Sequence, residues 1–198
     1  MDDALPIVSE MNQCVWDLLK DSVDDLGDDE IDWRPLPQSN SINIIVRHLR
    51  IEAQWHLDSL ERGDTMPSDV TPALQEQIDA VPFDFQRNFE KLEELYMGFL
   101  EILRTTTLLG LQQRTTAAYG SAAVAPGRTH FLGYHQAMHV AMHCGQIRSI
   151  RNLYRKTRGE PARFSPENPT YPRPTPDPPT NSEPRPKSEP RPKSGPRP

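Results

Sequence analysis

The sequence predicts an all-α protein: a four-helix bundle followed by a disordered, proline-rich C-terminal tail. Four stretches of about twenty to thirty residues carry apolar residues at helical spacing. No run of alternating apolar and polar residues is long enough to build a sheet. Proline is unevenly spread, since 14 of the 21 prolines lie at or after Pro161. Long helices joined by loops that can cross over are typical of a four-helix bundle.

The first two helices are predicted from apolar spacing and from the residues that flank them. The first spans residues 5–26 and ends before Gly27, where glycine and then prolines interrupt the pattern. The second spans residues 41–62, and Gly63 supplies a stop signal. Its start follows residues whose side chains can cap a helix: Ser39, Asn40 and Ser41.

The third and fourth helices are predicted in the same way. The third spans residues 83–109, and its apolar stripe runs from Phe85 to Leu103. A short helix over residues 71–80 precedes it in the connecting segment. The fourth helix spans residues 129–157 and follows a loop rich in glycine, alanine and threonine.

The composition divides the chain into two parts. Residues 1–160 are predicted to form the bundle, and residues 161–198 a low-complexity tail. Residues 182–198, "SEPRPKSEPRPKSGPRP", form a short repeat with no apolar residue other than proline to pack. Because proline lacks an amide donor and fixes φ, we expect a solvated, disordered segment. The alternative is a ligand for a proline-binding groove.

The charge and cysteine content exclude several classes of protein. Residues 1–165 carry 16 Lys+Arg and 24 Asp+Glu, a net charge of −8, which argues against nucleic-acid binding. The basic run between Arg148 and Arg158 is interpreted as a helix C-terminus that complements the dipole.

Two cysteines make no disulfide framework. With no signal peptide and no membrane span predicted, we expect a cytoplasmic protein. A homodimer is compatible with the sequence, because helical bundles often pair through spare apolar faces, but no apolar stripe of this chain requires it.

Three histidines of the fourth helix, His135, His139 and His143, are each four residues apart. This spacing places them on one helical face, which continues into an apolar stripe and is expected to face the bundle interior. His48 of the second helix lies on a similar apolar line. Two imidazoles buried one turn apart need partners, and one divalent ion bound by His48, His139 and His143 would provide them. The ligand type favours Zn²⁺ or Ni²⁺.

Further polar residues lie close to this predicted metal site. Glu52, one turn after His48, is a candidate hydrogen-bond acceptor for a metal-bound histidine, a fourth ligand or a proton acceptor. His135 is a second candidate proton acceptor. Gln146 is a candidate substrate-binding residue, because its amide can donate or accept hydrogen bonds but cannot take up a proton. Cys144 points about 100° away from His143 and is interpreted as a buried, inert thiol. His56 and His130 lie near predicted helix ends, where surface or capping roles are expected.

Two segments resemble a known family. "WRPLPQSNSINIIVRHL" (residues 33–49), followed about ninety residues later by "HVAMHCGQIR" (139–148), is similar to the DinB-like family, which includes metal-dependent bacterial thiol S-transferases. The resemblance covers about residues 5–157. It implies a four-helix bundle in which His48, His139 and His143 bind one divalent ion and leave a position open for water or a substrate thiol.

Three functions are consistent with this pattern. The first is an enzyme that presents a low-molecular-weight thiol to an electrophile, or uses a bound water in the same position as a hydrolase would. The second is a non-enzymatic, stress-related metal-binding or interaction module, whose tail recruits a partner. The third is a plain bundle in which the histidines hydrogen-bond one another without metal.

Overall fold

The computed structural model describes residues 4–62, 72–107, 110 and 131–165. Six helices lie in these ranges, and no strand does. They are α1 (Ala4–Val23), α2 (Asp28–Ile31), α3 (Ile42–Arg62), α4 (Pro72–Asp79), α5 (Phe85–Thr105) and α6 (Phe131–Thr157). The predicted fold class is therefore confirmed. The stop at Gly63, most of the loop before the last helix, and the tail beyond residue 165 lie outside the described residues.

The four long helices form the bundle. Helix α1 contacts α5 and α6, and α3 contacts the same two helices, so α1 and α3 occupy opposite corners. Trp16 of α1 fills the centre, with its ring stacked on Tyr96 at 4.9 Å and on Phe89 at 5.8 Å between centroids. Burying an aromatic or aliphatic side chain of this kind stabilises a fold by about 1.5–3 kcal/mol. Helices α3 and α6 are neighbours in this bundle.

The ends of the helices differ from the prediction by a few residues, for local reasons. Helix α1 stops at Val23 rather than at residue 26, and the short helix α2 follows it. Ser41 caps α3, because its Oγ accepts a hydrogen bond from the amide of Ile44 at 3.3 Å. Asp84 caps α5 by accepting from the amide of Arg87 at 3.0 Å.

A glycine and an asparagine bring α1 and α6 close together near the start of α6. A Cβ atom on Gly133 would lie 2.3 Å from Cγ1 of Val8, so no larger residue fits without a shift. The buried Asn12 Nδ2 donates to the carbonyl of Gly133 at 3.0 Å, and its Oδ1 accepts from the hydroxyl of Tyr96 at 3.1 Å. These contacts tie α1, α5 and α6 together below the histidine face of α6.

At its other end, α6 is anchored by a buried arginine. Arg151, only 1% exposed, donates from Nε to Oε1 of Glu30 at 2.9 Å and from Nη1 to the carbonyl of Asp24 at 2.8 Å. Its Nη2 also donates to Oδ1 of Asp25 at 3.0 Å. The basic run thus has a role beyond the helix dipole, because Arg151 fastens α6 to the connection between α1 and α2.

Two further findings bear on the general class of protein. In the ranges that the structure describes, no helix is both long and apolar enough to cross a membrane. Cys144 is buried and Cys14 is exposed, and neither forms a disulfide. Burial raises the pKa of the Cys144 thiol to about 11, so the prediction of an inert thiol agrees with its surroundings.

Candidate metal centre

Helices α3 and α6 face each other through six polar side chains, which we call the polar seam. On α3 the seam contains His48, Glu52 and His56, and on α6 it contains His135, His139 and His143. Each set has a spacing of four residues, so all three side chains of a helix lie on one face. The sequence predicts that α6 face correctly, but it does not predict that α3 carries a matching ladder.

The three predicted ligands meet at one end of the seam. Nε2 of His139 lies 3.2 Å from Nε2 of His48 and 3.0 Å from Nε2 of His143. One nitrogen from each ring lies within 4.8 Å of the other two, which makes these residues a group that could hold an ion. Among the described residues no other group of three histidine, cysteine or acidic side chains meets this distance.

A neighbouring side chain orients the ring of His143. Oε1 of Gln146 accepts a hydrogen bond from Nδ1 of His143 at 2.9 Å. That bond places the proton of the ring on Nδ1 and leaves the lone pair of Nε2 free. Oε2 of Glu52 lies 3.5 Å from Nδ1 of His139 but makes no hydrogen bond with it. The structure therefore shows Nε2 of His143 as a lone-pair donor that faces the other two rings.

The rings of His139 and His143 are held in the neutral form that binds metals. Burial, with added repulsion from His143, His48 and His135, lowers the pKa of His139 to about 4. Burial also lowers the pKa of His143, and neighbouring His48 adds to this effect, although the bond to Gln146 opposes it. A neutral imidazole is the form that binds a divalent ion, so no proton need be displaced at neutral pH.

The donor set fits a zinc-like ion. Zinc bound tetrahedrally at about 2.0–2.1 Å places ligand nitrogens about 3.3–3.4 Å apart. The two Nε2 contacts of His139, 3.0 and 3.2 Å, are close to this value. Lone pairs that face each other inside a protein are unfavourable without a cation or proton between them. In the metal-free alternative an N–H on Nε2 of His139 faces both other rings, whereas a bound ion would accept a lone pair from all three.

The three histidines differ in exposure to solvent, and the site is open on the side of His48. The side chain of His48 is 43% exposed, whereas that of His139 is 13% exposed. Next to His143 lies a cleft of about 730 Å³, whose lining includes Gln146. The residues that line it carry no charge: Pro35, Gln38, Ser39, Asn40, Ile45, Met142, Gly145, Gln146, Ser149, Ile150 and Leu153. The cleft can hold an uncharged ligand that has both polar and apolar parts.

The other candidate residues take different positions. Glu52 lies between the rings, with Oε1 3.8 Å from Nε2 of His48. Arg148, a basic residue further along α6, pairs with Asp21 at 2.6 Å rather than with Glu52. The ring of His135 stacks on that of His139 at 6.0 Å between centroids, further from the open side.

The expected surface or capping role of His56 is wrong. Its side chain is 1% exposed, and its ring packs against that of His135 at 5.5 Å. His56 lies two turns after His48 on the same helical face, so the spacing of the α3 residues could have found it. His130 lies outside the described residues.

The depressed pKa values predict that the metal-free protein loses stability in mild acid. An unfolded histidine has a pKa near 6.5, whereas folding lowers that of His139 to about 4 and that of His56 to about 3. Between those values the unfolded chain binds protons that the native chain does not, so the free energy of unfolding falls as the pH falls from about 6.5. Urea denaturation of metal-free protein at pH 7 and pH 5 measures this.

The same measurement has a built-in control. His139→Ala removes one of the depressed groups, so its unfolding free energy should depend less steeply on pH in this window. Equal stability of the unmodified protein at pH 7 and pH 5 would show that the native rings bind protons as readily as the unfolded ones.

The comparisons with known proteins give one match. A family model described as mycothiol-S-transferase matches residues 13–156, which is 144 of the 198 residues and includes the whole polar seam. No curated protein matches the chain, and no solved structure does.

Proposed function

The chain belongs to the mycothiol-S-transferase family, a DinB-like family, and on that basis we propose that it is a metal-dependent thiol S-transferase. The observation that carries the proposal is the convergence of the Nε2 atoms of His48, His139 and His143 beside an uncharged cleft. Three protein ligands leave one position open on a tetrahedral ion, which is the arrangement of catalytic rather than structural zinc sites.

Three histidines would bind the metal, and neighbouring polar side chains would assist them. His48, His139 and His143 would hold one divalent ion, with zinc or nickel as the metals that suit imidazole ligands. When bound, the ion favours the deprotonated form of a thiol at the open position and so supplies a sulfur nucleophile. Gln146 orients the ring of His143 by accepting a hydrogen bond from its Nδ1, and Glu52 lies 3.5 Å from Nδ1 of His139.

A proton acceptor is needed when the thiol loses its proton. Glu52 suits this role, because Oε1 lies 3.8 Å from Nε2 of His48 and the side chain is 22% exposed. The sulfur then attacks the electrophile, a carbon–sulfur bond forms, and the leaving group departs with its electron pair. His135 lies one turn further into the seam and is the second candidate acceptor.

The cleft supports a polar, uncharged thiol cosubstrate. Its polar lining comes from amide and hydroxyl side chains, and Met142, Ile150 and Leu153 supply an apolar wall. Gln146 belongs both to the cleft and to the hydrogen bond with His143, so it is the residue that would join substrate binding to the metal centre. The family description names mycothiol, and we propose that thiol as the cosubstrate.

The proposal is tested by a transfer assay with mycothiol and a set of small electrophiles. His48→Ala should abolish metal-dependent loss of the thiol, because it removes the ligand that only α3 supplies. Helix content by circular dichroism should stay nearly unchanged, since the His48 side chain is 43% exposed. Glu61→Ala, another exposed residue on α3, is the control and should keep full activity.

Two results would contradict the proposal. Turnover by His48→Ala at the rate of the unmodified protein would exclude the three-histidine site from the reaction. Bound metal with no turnover on any electrophile, together with melting of the fold on metal removal, would favour the non-enzymatic metal-binding module instead.

A further inference from the structure

A second cleft, of about 560 Å³, lies between α2 and the start of α5. Its lining includes no basic residue but four aspartates: Asp25, Asp28, Asp32 and Asp84. Asp25 pairs with Arg151 and Arg163, whereas the other three carboxylates pair with no cationic side chain in the described part of the chain. A cleft lined by charge of one sign concentrates ligands of the opposite sign, so this cleft suits a cationic ligand.

Asn43 of α3 also lines this acidic cleft, and one of its polar atoms is unsatisfied. The residue is 2% exposed, and its Nδ2 donates to Oδ1 of Asp32 at 2.9 Å and to the carbonyl of Phe83 at 3.4 Å. Its Oδ1 is buried and has no hydrogen-bond partner among the described residues. Since nearly all buried polar atoms of folded proteins are hydrogen-bonded, this oxygen points to an N–H donor supplied from outside the described residues.

The acidic cleft also presents an aromatic surface. Phe83 is 63% exposed, although the guanidinium of Arg47 lies 4.4 Å from the centre of its ring. Proline-rich segments bind aromatic grooves, because their polyproline conformation is already formed before binding. An aromatic ring beside carboxylates therefore suits a proline-rich segment that also carries basic residues.

The C-terminal repeat of this chain has that composition. Residues 182–198 contain six prolines, five basic residues and two acidic residues, and so carry a net charge of +3. The proposed reaction makes no use of them. Their charge is opposite to that of the cleft, and their prolines match its aromatic surface.

The chain leaves the described residues beside the same cleft. Nη1 of Arg163 pairs with Oδ2 of Asp25 at 2.5 Å, and the amide of Phe164 donates to Oδ1 of Asn152 at 2.9 Å. Only 16 residues, 166–181, separate Ser165 from the repeat. At about 3.1 Å per residue, a polyproline segment of that length spans about 50 Å, which is ample for the repeat to reach the cleft of its own chain.

We propose that residues 182–198 bind in the acidic cleft of their own chain. Their arginine and lysine side chains pair with three exposed aspartates, Asp28, Asp32 and Asp84, and their prolines pack on Phe83. Weak contacts suffice, because the tether keeps the local concentration of the repeat high. The inference goes beyond the proposed reaction and does not depend on the metal centre.

The experiment places a spin label on the tail of the full chain and records which backbone amide signals the label broadens. Ser194→Cys supplies the attachment point, and Cys14→Ser removes the exposed cysteine, whereas Cys144 is buried. We expect strong broadening of the amide signals that line the cleft, such as those of Asp28 and Asp84. In about 1 M salt the Debye length is only about 3 Å, so most of the broadening should disappear.

Two matched variants test the carboxylates in this background. The cleft variant removes three charges at nearly constant volume and keeps side-chain oxygens that accept hydrogen bonds: Asp28→Asn, Asp32→Asn and Asp84→Asn. The control variant removes the same charge from exposed positions of α5 outside the cleft: Glu93→Gln, Glu94→Gln and Glu101→Gln. The broadening should disappear in the cleft variant and remain in the control variant.

A third variant changes the tail alone, so its effect cannot come from a change inside the bundle: Arg185→Gln, Arg191→Gln and Arg197→Gln. It should also lose the broadening. The inference is overturned if the cleft amides are not broadened in the starting protein, if the cleft variant or the tail variant keeps the broadening, or if the control variant loses it.

A mixing experiment distinguishes binding within one chain from binding between chains. Spin-labelled chain without ¹⁵N is mixed with ¹⁵N-labelled chain that carries no spin label. The inference predicts no broadening in this mixture. Broadening of the cleft amides as strong as in the singly labelled sample would show that the tail binds another molecule, and would overturn the proposed occupant.

Discussion

Replacing His139 and His143 together by alanine is expected to abolish zinc binding while leaving the helices in place. The two residues supply two of the three converging Nε2 atoms, and His139 is the ring that both of the others contact. A lone His48 leaves no chelating group. The loss of zinc affinity should therefore exceed the roughly 100-fold that removing a hydrogen-bond partner of a ligand costs. Alanine has the highest helix propensity, so α6 should remain helical.

Thermal unfolding with added zinc measures this loss directly. An ion that binds only the folded state stabilises it by about 2.7 kcal/mol when its concentration is 100 times its Kd. The melting temperature of the unmodified protein should rise with zinc, whereas that of the double variant should not. Ser149→Ala, a change at an exposed residue six positions after His143 on α6, is the control and should retain the zinc-dependent rise.

Arg151→Ala is expected to produce the largest loss of stability of any charge removal in the bundle. The substitution removes the cation that Glu30 binds through both oxygens, at 2.9 and 3.4 Å, and Glu30 is itself only 6% exposed. Breaking a buried pair from one side costs about 3–5 kcal/mol, because an uncompensated charge stays behind. Total stabilities of small domains are about 5–15 kcal/mol, so the variant should unfold at much lower urea concentration.

Two further variants make this prediction specific. Arg158→Ala removes an exposed arginine just after the end of the same helix and should leave the urea midpoint unchanged. Arg151→Met combined with Glu30→Leu removes both charges and should recover much of the stability, as replacing a whole buried pair often does. If Arg151→Ala unfolds at the same urea concentration as the unmodified protein, Arg151 does not anchor α6.

The long helices could be predicted from sequence because their apolar residues repeat at a single period. The short helix predicted over residues 71–80 is confirmed as Pro72–Asp79. The resemblance to the DinB-like family, carried by the segments around His48 and His139, is confirmed by the family match. The predicted end of α1 at residue 26 is wrong, because Leu26 continues the apolar spacing although the helix stops at Val23.

Residues whose role depends on tertiary packing could not be assigned in this way. His56 was given a surface role from its distance to a helix end, but that distance does not tell which face of α3 meets α6. Arg151 was one basic residue in a run of five. Its ion pair with Glu30 forms only because the bundle places α2 beside this end of α6. The spacing of four between His48, Glu52 and His56 is visible in the sequence. That these residues face the histidines of α6 is visible only in the structure.

Metal content measured by mass spectrometry on untagged protein purified in metal-replete medium tests the central claim most directly. We predict about one divalent ion per chain in the unmodified protein and none in the His139→Ala, His143→Ala double variant. Unmodified protein that contains no metal, or a double variant that retains it, would contradict the account. The first result would leave the converging histidines as hydrogen-bonding partners in a bundle without a metal centre.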